Sequence, residues 1–134
     1  MERFLGRYSA EIYALMRVMV GLLFACHGAQ KLLGVLGGVD KAGGTVPLGS
    51  LIGFAGVIEL FGGALIALGL FAGTVAFISS GEMAVAYFRA HFPQGFWPLL
   101  NGGELAVLYA FVFLYIASRG SGAWSVDAMR TRRR

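Results

Sequence analysis

The stretch LGSLIGFAGVIELFGGALIALGLF, residues 48–71, carries one ionisable side chain, Glu59, in an otherwise apolar run. A helix of this length crosses a hydrocarbon core of about 30 Å. On insertion scales an ionisable side chain near a helix centre costs about 2.5 to 3.5 kcal/mol, so it normally faces the interior of a bundle. Small residues lie three and four positions from Glu59, among them Gly56 and Gly63. Because such residues let a neighbouring helix approach closely, we expect Glu59 to point into a helix bundle.

Three further runs, residues 12–33, 72–92 and 99–118, have a similar length and composition. Of the 134 residues, 57% are hydrophobic and 13% are charged, and the mean hydropathy of +0.73 is too high for a soluble domain of this size. The strands of alternating polarity that a β-barrel needs are missing from the sequence. The sequence therefore predicts an all-α integral membrane protein, a four-helix antiparallel transmembrane bundle that forms a single domain over residues 1–134.

The basic residues predict the orientation of this bundle. Arg3 and Arg7 precede the first run and five arginines follow the last, whereas Lys31, Lys41 and Arg89 lie at the opposite ends. The positive-inside rule then places both termini in the cytoplasm. The terminal arginines are expected to contact anionic membrane lipid, with no nucleic acid as a partner. The very short link between the second and third runs predicts an antiparallel helical hairpin.

Each of the four runs carries an ionisable residue: Arg17, Glu59, Glu82 and Glu104. Because buried charges are normally paired, we expect one shared cluster in which Arg17 pairs with Glu59 or Glu82. From the rise of a helix, the cluster falls in the outer half of the bundle, with Glu104 nearest its mouth. One arginine cannot neutralise three glutamates, which predicts more polar groups than packing needs.

Further polar side chains are expected to join this cluster. The predicted ligand-binding or proton-handling residues are Arg17, His27, Lys31, Glu59, Glu82, His91, Asn101 and Glu104. The alternative interpretation is a polar clamp that only holds the helices in register. The two histidines and the carboxylates have no spacing diagnostic of a metal, so no metal site is predicted. With Cys26 as its single cysteine, the chain offers no disulfide, iron–sulfur site or c-type haem site of its own, and redox chemistry would need a bound cofactor or a partner.

Five sequence strings, in this order, extend over nearly the whole chain. They are HGAQKL at 27–32, ELFGG at 59–63 with LGL at 68–70, HFPQGF at 91–96, NGGE at 101–104 and GSGAWSVD at 120–127. Together they resemble the DoxX family of small four-helix proteins of bacterial and archaeal inner membranes. The family takes its name from a link to membrane thiosulfate:quinone oxidoreduction, and other members are tied to redox-stress complexes.

The resemblance implies a multi-pass inner-membrane subunit or accessory of a quinone-linked or redox-stress oxidoreductase system. It implies quinone as the cofactor or ligand, and an oxidoreductase protein or a second copy of the chain as partner. Whether the chain itself is an enzyme stays open. The sequence also leaves two other functions open: a small transporter or proton/ion pathway that uses the same cluster, and a non-catalytic membrane scaffold or assembly factor.

Overall fold

The computed structural model of the protein describes residues 1–132, whose regular elements are helices joined by loops, with no β-strand among them. Helix α1, Glu2–Leu33, includes a 3-10 turn near its start, and helix α2 is Leu51–Leu68. Helix α3, Ala72–Ala86, continues into the π-helical turn Tyr87–His91. The all-α class is thus confirmed. Helices α2 and α3 lie within the second and third predicted runs, whereas α1 covers the first run, 12–33, and begins ten residues before it.

A 3-10 turn, Phe92–Gln94, follows, and three α-helices complete the described chain. A single turn, α4, is Pro98–Asn101, the long helix α5 is Glu104–Arg119, and α6 is Val126–Arg132. The fourth predicted run therefore divides into α4 and α5, because Gly102 between them has a positive φ of 71° that ends the first turn.

Helices α1 and α2 pack with their backbones nearly in contact. A Cβ atom on Gly63 would lie 2.5 Å from the carbonyl oxygen of Gly21, and one on Gly21 would lie 2.6 Å from the amide nitrogen of Ala67. Small residues allow this approach between helices in membranes, where van der Waals packing and hydrogen bonds drive association. The glycine-lined face predicted around Glu59 is therefore the face that meets α1.

The other two long helices, α3 and α5, pack along one another, and the link after Leu68 turns the chain tightly from α2 into α3. Gly69 makes this turn with a φ of +68°, as the predicted hairpin requires. At the level between Arg17 and Glu59, the side chains of Phe24, Ile66 and Phe113 are fully buried. An apolar core therefore fills the bundle on the side of the hairpin turn.

The N-terminal part of helix α2 lies outside this core. Its first two turns, Leu51–Val57, pack mainly on α1, whereas α2 meets α3 from the π-helical turn Ile58–Gly62 onward. Consequently α2 and α3 separate at the end of the bundle that the sequence places outside, and a gap opens between them.

The surface of the long helices is strongly apolar. Five phenylalanines on these helices are each more than 60% exposed: Phe54, Phe61, Phe77, Phe88 and Phe111. Two helices, Glu2–Leu33 and Leu51–Leu68, are long and apolar enough to cross a membrane. So large an apolar surface is typical of helices that face lipid. The crossing of the membrane by α3 and α5, and the placement of both termini, stay predictions.

The segment after α5 folds back onto the α2–α3 hairpin. The Asp127 carboxylate accepts hydrogen bonds from the backbone N–H of Phe71, at 2.8 Å, and from the Ser121 hydroxyl, at 2.6 Å. The backbone N–H of Asp127 in turn donates to the carbonyl of Gly69. The string at 120–127 therefore attaches the end of the described chain to the hairpin turn.

Candidate functional site

A cavity of about 650 Å³ lies between the four long helices, where α2 and α3 separate. Its walls are mainly apolar and include Phe24, Ile58, Met83 and Tyr109. The polar lining consists of His27, Lys31, Glu59, Glu82, Arg89 and His91. Five of the eight residues predicted from the sequence are therefore brought together at one cavity: His27, Lys31, Glu59, Glu82 and His91.

The centre of the site is an ion pair between α1 and α2. Lys31 Nζ lies 2.5 Å from Glu59 Oε1, with the Lys31 side chain 26% and the Glu59 side chain 3% exposed. Lys31 can reach Glu59 because Gly56 and Gly28 bring the two backbones together along this face. The second carboxyl oxygen, Glu59 Oε2, is buried and has no hydrogen-bond partner among the described residues. A buried polar atom without a partner costs about 1 to 3 kcal/mol, so this oxygen calls for a hydrogen-bond donor.

Helix α3 adds a second carboxyl group. Glu82 lies close enough to Glu59 and Lys31 to interact with both charges, and its Oε2 atom is buried without a hydrogen-bond partner in residues 1–132. One turn earlier, the fully buried hydroxyl of Ser79 packs against Gly62 and is likewise unpartnered in the described chain. The site thus holds more polar atoms than it pairs internally.

Both π-helical turns of the described chain border the cavity. Ile58–Gly62 presents Glu59, and Tyr87–His91 presents Arg89 and His91. A π-helical turn widens the backbone by one residue at a cost in hydrogen bonding and occurs often at functional sites. The sequence patterns did not reveal these turns, because the period of apolar residues stays close to that of an α-helix through them.

Arg17 lies away from this site, and its predicted pairing with Glu59 or Glu82 is wrong. Its fully buried guanidinium donates to the carbonyls of Ile66 and Ala67, each at 2.6 Å. Bonds to the carbonyls of Ala123 and Trp124, at 3.2 and 2.9 Å, complete its contacts. Carbonyls at the end of a helix lack intrahelical donors and carry partial negative charge, so they compete with a carboxylate for arginine. Along α2 they lie about 10 Å beyond Glu59, by the rise of a helix.

Glu104 and Asn101 also lie outside the cavity, so the expectation that they converge on it is wrong. Glu104 is an exposed residue in the first turn of α5, where its charge favours the helix N-terminus. Asn101 is buried, but its amide donates to the Gly95 carbonyl at 2.7 Å and its side-chain oxygen accepts from the Gly103 N–H at 2.8 Å. Asn101 therefore shapes the turn between α4 and α5.

The two histidines differ in their freedom. His91 Nδ1 lies 3.1 Å from the carbonyl of Asn101, which fixes the ring. The His27 ring packs edge-on against Tyr109 at 6.1 Å between centroids and borders the cavity. Within the described residues, no three His, Cys, Asp or Glu side chains are grouped as a metal ion would require.

The aromatic wall of the cavity was missed by the sequence reasoning. Tyr109 on α5 contacts Phe24 at 5.4 Å and stacks on Phe113 at 5.3 Å between ring centroids. Tyr109 lies in an apolar stretch without charged residues, so no charge in the sequence marked this position as part of a site. A tyrosine at helical spacing from Ala106 and Phe113 on the buried face was the available signal.

Comparisons with known proteins agree with the motifs. The DoxX family model matches residues 12–92, which include the five predicted residues that line the cavity. A protein of Haemophilus influenzae that bears the description "Uncharacterized protein" is 42% identical over 127 residues, covering 92% of this chain and 93% of that relative. No solved structure matches the chain. The matched residues and this extended identity show that the chain belongs to the DoxX family.

Proposed function

We propose that the protein binds the head group of a quinone-type molecule in the cavity, as an inner-membrane component of a quinone-linked or redox-stress oxidoreductase system. The observation that carries the proposal is Glu59, whose side chain is 3% exposed and pairs with Lys31 through one oxygen only. A clamp between α1 and α2 would need one cation and one anion. The unpaired second oxygen, with Glu82 opposite, leaves hydrogen-bonding capacity for a ligand.

The size and shape of the cavity suit such a molecule. A volume of about 650 Å³ lies within the range of about 300 to 1,000 Å³ typical of ligand sites. The gap between the start of α2 and the second half of α3 is bordered by exposed apolar residues, including Phe54, Ile78 and Val85. A ligand dissolved in the hydrocarbon could pass through this gap while its isoprenoid tail stays in lipid.

The polar residues define what the site does to a bound head group. When bound, a quinone supplies the capacity to carry two electrons and two protons. Lys31 holds the Glu59 carboxylate in place, and the free oxygens of Glu59 and Glu82 are positioned to accept hydrogen bonds from the hydroxyl groups of the head group in its reduced form. A protonated Glu82 would place its proton beside the bound head group. Positioned carboxyl groups of this kind can exchange protons with a ligand.

A continuous pathway for protons or ions fits less well. Beyond the site, the fully buried side chains of Phe24, Ile66, Phe113 and Ile116 fill the bundle towards Arg17. Arg17 itself is tied to four backbone carbonyls. A non-catalytic scaffold remains the competing function, and it predicts that the cavity binds no ligand.

Solvent extraction of the protein purified in mild detergent from its native membranes, followed by mass spectrometry, tests the proposal. The wild type is expected to retain a quinone at a constant molar ratio through repeated washing. Glu59→Gln should lose most of it, whereas Glu104→Gln, which removes an exposed carboxylate outside the cavity, should retain it. Equal retention by all three proteins, or none by the wild type, would contradict the proposal.

A further inference from the structure

Among the described residues that line the cavity, the buried side-chain atoms without a hydrogen-bond partner are of one chemical kind. Glu59 Oε2 and Glu82 Oε2 are both buried carboxyl oxygens that receive no hydrogen bond from residues 1–132. An ionised carboxylate can only accept hydrogen bonds, and a protonated one still has one oxygen that accepts. The site therefore has a demand for donors that the protein does not meet.

Among the described residues, no side-chain donor that lines the cavity bonds to either of these two oxygens. Lys31 Nζ is committed to Glu59 Oε1 at 2.5 Å, and the ring of His91 is held by the carbonyl of Asn101. Arg89 is exposed. Lys31 forms its ion pair with Glu59 through Oε1, which leaves Glu59 Oε2 as a hydrogen-bond acceptor. A ligand group that reaches Glu59 Oε2 must bring its own hydrogen.

We infer, on the basis of the proposed function, that the cavity discriminates between the two redox forms of its ligand and binds the hydroxyl-bearing quinol in preference to the quinone. A quinol hydroxyl donates a hydrogen bond to Glu59 Oε2, and its second hydroxyl can do the same elsewhere in the site. A quinone carbonyl is itself an acceptor and would face an acceptor there. Sites built to bond a hydroxyl group reject analogues that lack it, because their buried polar atoms stay unpaired.

Three ligands that share one ring and one short alkyl tail provide the test. They are a short-tailed benzoquinone, the same molecule reduced under anaerobic conditions, and the dimethyl ether of the reduced form. The ether keeps the shape of the quinol and removes both hydroxyl hydrogens. Equilibrium binding to the detergent-solubilised protein, followed by tryptophan fluorescence or thermophoresis, gives a Kd for each.

We expect the quinol to bind about tenfold more tightly than the quinone or more, which corresponds to one hydrogen bond to a charged group, and the ether to bind no better than the quinone. Glu59→Gln should reduce the preference to about threefold or less, because an amide also donates. Glu82→Gln, which leaves the ion pair intact, provides a second variant if Glu59→Gln does not fold, and it should also lower the preference. Glu104→Gln should keep the preference of the wild type.

The outcomes separate this inference from the proposed function. Equal binding of quinone and quinol, tighter binding of the quinone, or an ether that binds as well as the quinol would overturn the preference while leaving a quinone-type site in place. A preference that survives unchanged in both Glu59→Gln and Glu82→Gln would overturn the role of the two carboxyl groups. Absence of binding by all three ligands would overturn the proposed function and the inference with it.

Discussion

Replacing Arg17 by leucine tests how the hairpin turn is held to the rest of the bundle. The guanidinium joins the end of α2 to the segment after α5 through the carbonyls of Ile66, Ala67, Ala123 and Trp124. Within residues 1–132, Ile66 O also receives the N–H of Gly69. The leucine variant therefore removes the arginine donors from all four carbonyls at once.

The two bonds of 2.6 Å set the magnitude. A hydrogen bond to a charged group contributes about 1.5 to 3 kcal/mol, so these two together contribute about 3 to 6 kcal/mol. The longer bonds to Ala123 and Trp124 add less, because water reaches the exposed Trp124 end of the junction. Since removing a buried charge also relieves its desolvation cost, we expect a net loss near the lower end of this range.

Thermal unfolding of the detergent-solubilised protein, followed by size-exclusion chromatography of heated samples, measures the effect. A loss of about 3 kcal/mol lowers the midpoint by about 10 °C in a chain of this size. Arg17→Lys keeps the charge but has fewer donors in a less rigid arrangement, so it should fall between the wild type and Arg17→Leu.

A double variant separates this reasoning from the pairing that the sequence suggested. Because Arg17 bonds to carbonyls and not to Glu59 or Glu82, adding Glu59→Gln or Glu82→Gln to Arg17→Leu should restore no stability. Recovery of most of the lost midpoint in either double variant would refute the carbonyl junction and reinstate an arginine–glutamate pair. A midpoint for Arg17→Leu within about 2 °C of the wild type, equivalent to less than about 1 kcal/mol, would refute the estimated contribution.

Three other predictions concern packing, orientation and the loop after α1. Gly21→Ala should prevent normal folding, because the new Cβ would lie 2.6 Å from the backbone nitrogen of Ala67. The control Gly81→Ala meets no atom within 4 Å and should leave the midpoint of thermal unfolding unchanged or raised. Equal midpoints for the two variants would argue against the close α1–α2 contact. In a cysteine-free background, a cysteine at the exposed Thr45 should react with an impermeant maleimide from outside intact cells and one at the exposed Met129 should not; the reverse pattern would invert the topology. Hydrogen bonds from the N–H groups of Gly44 and Ala42 lower the pKa of Asp40 below its ordinary value. The stabilisation from these bonds is therefore fully present above the ordinary pKa and is lost as the pH falls through the lowered pKa. An ordinary or raised pKa of Asp40 in a carboxyl NMR titration would contradict the loop geometry.

The helices and the burial of Glu59 could be predicted because both depend on patterns local to one segment. Apolar length locates α1, α2 and α3, and the small residues around Glu59 identify the face that meets a neighbour. The α2–α3 hairpin followed from a link too short for any other arrangement.

The partners of long cationic side chains could not be predicted in the same way. Arg17 and Lys31 can each reach several turns along a neighbouring helix, and a sequence shows carboxylates more readily than carbonyls left free at a helix end. The sequence therefore suggested Glu59 or Glu82 as the partner of Arg17, whereas Lys31 is the residue that reaches Glu59. The prediction that Glu104 lies at the cavity was wrong for another reason. The turn at Gly102 separates α4 from α5 and leaves this glutamate exposed at the start of α5.

Photo-crosslinking with an azido derivative of a short-tailed quinone shows where the ligand binds, and so tests whether the cavity is a quinone site. We expect adducts on peptides that border the cavity, around Ile58 on α2 and Val85 on α3. Excess unlabelled quinol should suppress these adducts, and Glu104→Gln should leave them unchanged. Adducts scattered over the lipid-facing surface, or adducts at the cavity that no competitor suppresses, would contradict specific binding at the cavity.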